Sequence, residues 1–127
     1  MKKILFLAIF VLLITAIVAC GGSSNAAAST SQHYTVHMSG VQFNNSSLTI
    51  GKGSTITFTT DQGAHNLVVG TNGLAQPESG TPDFGAGGKT VASGQSWATG
   101  PWNTAGTFHV TCTYHPTTMT MTVTVTG

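Results

Sequence analysis

The sequence predicts an all-β protein, a Greek-key β-sandwich of roughly seven or eight short strands. Three observations carry this. From Tyr34 onward, apolar residues alternate with threonine and serine at the period of a half-buried strand. Glycine-containing breaks separate these runs at short intervals. No stretch of the region repeats apolar residues at the spacing of an amphipathic helix. The roughly 95 residues involved enclose one modest core between two sheets.

The elements follow in order. Tyr34, Val36 and Met38 alternate with Thr35 and His37 as a first strand, and Val41 and Phe43 continue its apolar face past the Ser39-Gly40 break. Leu48 and Ile50 precede a Gly51-Lys52-Gly53 turn, after which Ile56 and Phe58 alternate with Thr55, Thr57 and Thr59. Leu67-Val68-Val69 is short and continuous, as in a strand buried on both faces. Residues 70–89 carry too much Gly and Pro for a regular element, and a loop of this length in a small domain is usually functional or disordered. Leu74 and Phe84 are expected to pin it to the core. Thr90-Val91, a turn at Gly94, and Ser96–Thr99 lead to two final strands, Thr107–Thr111 and Met121–Val125. Trp97 and Trp102 are read as core and rim, with Trp102 alternatively lining a docking face.

Ahead of this domain lies a different kind of sequence. Met1-Lys2-Lys3 and the apolar run Ile4–Val18 have the layout of a secretory signal, ending in Ile17-Val18-Ala19-Cys20. That ending is close to a bacterial lipobox, in which the cysteine is lipidated and becomes the new N-terminus. An uncleaved membrane anchor is the alternative, although the run falls short of the roughly 20 apolar residues of a spanning helix. Gly21 to Gln32 is small, polar and aperiodic, the composition of a flexible tether. The expected organisation is therefore a signal peptide over residues 1–19, a lipid-anchored linker over 20–33 and a domain over 34–127. The protein is expected to be exported and held at the outer face of the cell membrane.

Charge excludes some functions. Beyond Cys20, Lys52 and Lys89 stand against Asp61, Glu78 and Asp83, two against three, a net charge of −1. There is no basic patch for nucleic acid and no acidic face for long-range steering. A protein partner would have to meet an uncharged, partly apolar surface.

Cysteine usage points to a site. With Cys20 taken by lipidation, Cys112 is alone, and an unpaired cysteine in an exported protein indicates a reactive thiol, an intermolecular bridge or a ligand. A Cys20–Cys112 disulfide would tie a tether to a strand end and leave the lipobox unexplained. Cys112 is followed by His115 and Met119 before strand alternation resumes, which packs a thiolate, an imidazole and a thioether into one loop. Such soft donors select copper, and two histidines, a cysteine and a weak axial methionine make a blue-copper electron-transfer set. The second histidine is expected to be His65, in Gly63-Ala64-His65-Asn66-Leu67. Met121 is in phase with Val123 and Val125 and reads as core. His109 is out of phase with Phe108, Val110 and Cys112 and should face away from the core. His33 and His37 read as solvated residues on one face of the first strand.

From about Tyr34 to Gly127 the chain resembles the cupredoxins, the small blue copper proteins that include plastocyanin, amicyanin and azurin. The resemblance rests on His65-Asn66 before an apolar strand, on Gly106-Thr107-Phe108 leading toward Cys112, and on the order Cys112, His115, Met119. It implies one type 1 copper ion bound by His65, Cys112, His115 and Met119. It also implies a bracing role for Asn66 by hydrogen bonding near the cysteine loop, and electron exit through His115. The His115–Met119 spacing is one residue longer than the tightest amicyanin-like loop and shorter than the plastocyanin-like one. Thr111 stands where plastocyanin-like proteins carry an aromatic, so the resemblance does not carry over a lateral electron route through that position.

Enzymatic relatives of this fold are excluded by absences. Thr111 and Thr113 flank Cys112, so no adjacent histidine leads to another copper, and there is no second loop cysteine for a binuclear centre. The expected function is a monomeric one-electron carrier serving redox proteins or membrane-bound respiratory or photosynthetic complexes. A copper scavenger or delivery protein on the same fold is the alternative, and a metal-free adhesin the more distant one.

Overall fold

The computed structural model describes residues 30–127, and the expected signal peptide and lipidated Cys20 lie outside the described residues. Ten strands form two sheets: β1 (His33–Ser39), β2 (Gln42–Phe43), β3 (Ser47–Gly51), β4 (Thr55–Thr60), β5 (His65–Thr71), β6 (Leu74–Ala75), β7 (Lys89–Val91), β8 (Ser96–Ala98), β9 (Gly106–Cys112) and β10 (Thr120–Thr126). One sheet has four strands in the order β2-β1-β4-β8, and the other has six in the order β3-β10-β9-β5-β6, with β7 also on β5. The number exceeds the expectation because β2 and β6 are two-residue hairpin arms on longer strands.

The chain crosses repeatedly between the two layers, which is why β1 meets β4, and β3 meets β10, in parallel. Alternation decides which side chains fill the gap. Val36, Met38, Ile56 and Phe58 of one sheet face Ile50, Leu67, Val110, Val123 and Val125 of the other, all at most 3% exposed. Threonines alternate with these residues on the same strands and face outward.

Aromatic rings extend this core. Phe58 stacks with Trp97 at 6.3 Å and meets Phe43 and Phe84, while Trp102 packs between Phe84 and Phe108. Phe84 thus anchors the long Gly/Pro-rich loop, as expected. Leu74 does not: it is 62% exposed, because it sits on the short β5–β6 hairpin rather than under the loop. Val41 is also exposed, since the chain reverses at Gly40 instead of continuing the β1 face. Trp102 is fully buried with its indole N–H on Thr99 Oγ1, so it lines no docking face.

The strand β5 is buried along both faces from His65 to Gly70. Its inner face meets the opposing sheet. Its outer face is covered by the 76–88 segment, which approaches so closely that a Cβ at Gly88 would meet Val68 and the Leu67 carbonyl. Glu78 fastens that segment to β9, accepting from the His109 backbone N–H at 2.8 Å and contacting His109 Nδ1 at 2.8 Å. His109 does face away from the core, and its partner there is this carboxylate.

Candidate metal centre

The site is a consequence of antiparallel pairing. With Leu67 opposite Cys112, the start of β5 lies beside the end of β9, and His65 falls on the same inward face as Cys112. A tight β4–β5 connection delivers His65, its backbone held by Thr60 Oγ1 donating to the carbonyls of Gln62 and Gly63.

After Cys112 the chain turns back on itself. The His115 N–H donates to the Cys112 carbonyl at 3.3 Å, and the Met119 N–H donates to the His115 carbonyl at 3.0 Å. The loop closes where the Cys112 N–H reaches the Met119 carbonyl at 2.9 Å. Pro116, with its fixed φ, suits the position just after His115 where the second turn begins.

His65 Nδ1, Cys112 Sγ and His115 Nδ1 converge. The sulfur lies 3.8 Å from the first nitrogen and 3.7 Å from the second, and the ligand atoms of all three residues fall within 4.8 Å of one another. The two imidazole rings are 5.3 Å apart between centroids. Metal–nitrogen and metal–sulfur bonds of about 2.0 and 2.3 Å opened at a trigonal angle span about 3.7 Å, so the two sulfur–nitrogen separations are those one ion requires. Copper fits the softness of this set better than a hard cation would.

Burial grades the donors. Cys112, His65 and Met119 are fully buried, while His115 is half-buried beside exposed Tyr114. Met119 closes the loop on Cys112 through its main chain and lies within the hydrophobic core. Met121 is core as well, one strand pair away opposite Val110. Burial lowers the pKa of His65 from its ordinary value; the Gln62 backbone carbonyl opposes this and His115 adds to it. A neutral imidazole is the form that binds metal. His65 Nε2 is buried and makes no hydrogen bond of its own.

Asn66 is hydrogen-bonded to three segments beside the cluster. Its amide nitrogen donates to Thr113 Oγ1 and to the Gly87 carbonyl, its carbonyl oxygen accepts from Thr90 Oγ1, and its main chain accepts the Thr113 N–H at 2.9 Å. One side chain thus joins the cysteine loop, the long loop and β7. His33 and His37 stand apart from the centre, on the first strand, bonded to Thr55, Thr57 and Asp61.

Some contacts were not foreseen. Glu78 reaches His109 across a long, irregular connection that no local signal predicts. The β5–β6 hairpin did have a signal, since Asn72-Gly73 is the dipeptide that favours a tight strand reversal. Gly73 packs against Pro116 and so places this hairpin directly on the ligand loop.

Comparison with known proteins agrees with this geometry. A family model described as copper binding proteins of the plastocyanin/azurin family matches residues 30–126. None of the curated proteins matches the chain in sequence. Among solved structures, amicyanin from Paracoccus versutus is similar at 21% identity with a TM-score of 0.57, over 74% of this chain and 81% of that one. A reduced Cu(I) amicyanin mutant at pH 4 is similar at 21% identity and a TM-score of 0.58, over 74% and 82% of the two chains. A second reduced amicyanin mutant aligns over 81% of this chain and 87% of its own, at 20% identity and a TM-score of 0.56.

Proposed function

The chain belongs to the plastocyanin/azurin family of copper-binding proteins, and from that premise we propose that it carries single electrons between redox partners outside the cell membrane. Its cofactor is copper, and proteins of this family are electron carriers rather than enzymes. The observation that carries the reading is the convergence of His65, Cys112 and His115 donors at one buried end of the sandwich.

When bound, copper supplies a one-electron Cu(I)/Cu(II) couple. Cys112, His65 and His115 would hold it, with the Met119 thioether as a further, weaker donor. Because the donors sit on or between hydrogen-bonded strands, they cannot relax freely when the charge changes, and a small rearrangement favours fast transfer. Full burial of Cys112 and His65 keeps water from the thiolate.

Electrons leave through His115, the donor with partial exposure. Around it lie Tyr114, 54% exposed, Pro116 and, on the hairpin that touches Pro116, exposed Leu74. No lysine or carboxylate belongs to these segments, so the partner that fits is a redox protein with an uncharged, partly apolar face. Residues 1–19 serve as the export signal and lipidated Cys20 as the tether, with residues 20–33 as the linker to a copper domain over 34–127.

Voltammetry of the copper-loaded domain in the presence of a copper chelator tests the proposal. Reversible one-electron cycling with the metal retained is expected. Loss of copper to the chelator during cycling would contradict the carrier reading and point to copper delivery instead.

A further inference from the structure

Thr111 precedes Cys112 on β9, and alternation turns its side chain to the outer face of the sheet, where the residue is fully buried opposite Val68. A buried hydroxyl must find hydrogen-bond partners. This one donates to the Met119 carbonyl at 2.8 Å, accepts the Gly73 N–H at 2.9 Å and lies 2.9 Å from Thr120 Oγ1. Thr120 Oγ1 in turn accepts the Asn72 N–H at 3.3 Å. Two paired hydroxyls on β9 and β10 therefore hold both amides of the Asn72–Gly73 turn, at the residue that closes the ligand loop.

The turn has little freedom to slip. Asn72 and Gly73 lie at φ of 53° and 71°, the left-handed pair of a tight hairpin. A Cβ at Gly73 would collide with Pro116, whose Cα would be 2.8 Å from it. One side of the turn thus rests on the residue after His115, and the other is fastened to the main chain of Met119.

We propose that Thr111 is a positioning residue of the metal centre: its hydroxyl locks the Asn72–Gly73 turn to the Met119 main chain and so fixes how near the Met119 thioether stands to the metal. The inference rests on the copper reading above. A thioether bond to copper is long and weak and does not set its own length. The length is set by the main chain that carries the sulfur, and here that chain is held from the outer face, away from the ligands, by a hydroxyl. An aromatic at this position would leave the Gly73 amide and the Met119 carbonyl without that partner.

Thr111→Val removes the hydroxyl at nearly constant shape, and Thr111→Ser keeps it. In the metal-free protein, amide exchange at Gly73 should quicken roughly five- to tenfold in Thr111→Val and return toward the wild-type rate in Thr111→Ser. Amides elsewhere in β9 and β10 should be unmoved. In the copper-loaded protein, the ratio of the two thiolate-to-copper bands and the EPR rhombicity should shift in Thr111→Val and recover in Thr111→Ser. Thr120→Val attacks the same turn from a half-exposed position and should produce smaller changes in the same direction, which keeps the test open if Thr111→Val fails to fold. Wild-type exchange and spectra in the valine variants would overturn the role of Thr111 alone, as would a serine variant as altered as the valine one. A wild-type protein without any thiolate-to-copper band would overturn the copper reading and this role with it.

Discussion

The two faces of β5 and β9 are made by alternate residues of the same strands, and they do different work. Inward, His65, Leu67, Val110 and Cys112 are fully buried against the opposing sheet, and two of them belong to the cluster that could hold a metal ion. Outward, Asn66, Thr111 and His109 are polar, and each is hydrogen-bonded to a loop or hairpin that crosses the sheet. Donor and fastener are neighbours in sequence: His65 beside Asn66, Cys112 between Thr111 and Thr113. The inner face creates a dry place for a thiolate. The outer face ties down the irregular segments that would otherwise let the donors drift.

Breaking the inner face should have the largest effect. Leu67→Ala removes a fully buried side chain opposite Cys112 and should cost about 2–5 kcal/mol of stability in denaturant melts. A loss well under 1 kcal/mol would mean that the sheets can close over the gap, contrary to a rigid core (roughly the scale of a conservative core change).

On the outer face the cost should be smaller and differently distributed. Asn66→Ala strands its partners on Thr113, Gly87 and Thr90, and should cost about 1–3 kcal/mol. It should also weaken copper retention by about 10- to 100-fold, because the cysteine loop loses its brace. Retention equal to wild type in a competition titration would reduce Asn66 to a strand-edge residue.

The subtlest prediction concerns protons. Burial holds the folded pKa of His65 below its ordinary value of 6.5, so the unfolded chain takes up a proton first as the pH falls. The contribution of His65 to the stability of the metal-free protein is complete above that ordinary value and is lost as the pH drops through the lowered folded one. Denaturation of metal-free protein across this window should show stability falling toward acid, with a shallower slope in His65→Asn. Equal slopes would remove His65 as the source.

Much of the inner face was legible in the sequence, because it follows the period of two. Val36 and Met38, Ile56 and Phe58, Phe108, Val110 and Cys112, and Met121, Val123 and Val125 all point where alternation places them. The convergence of Cys112 and His115 could be read as well, since they share one short loop. Single apolar residues at chain reversals misled: Val41 and Leu74 are exposed because a turn, not a strand, decides where they point. The outer face was harder. The Glu78–His109 contact depends on the path of a Gly/Pro-rich loop that has no period to read. Thr111 looked like one more outward threonine until the hairpin and Met119 were seen to converge on it.

The central claim is that Cys112 and its neighbours form one copper–thiolate centre. Visible absorption and EPR of the domain titrated with Cu(II), beside Cys112→Ser, test it most directly. An intense thiolate-to-copper band that saturates at one equivalent of copper, with narrow copper hyperfine splitting, is expected, both absent in Cys112→Ser. A pale, ordinary Cu(II) spectrum that is the same with and without the Cys112 sulfur would contradict it.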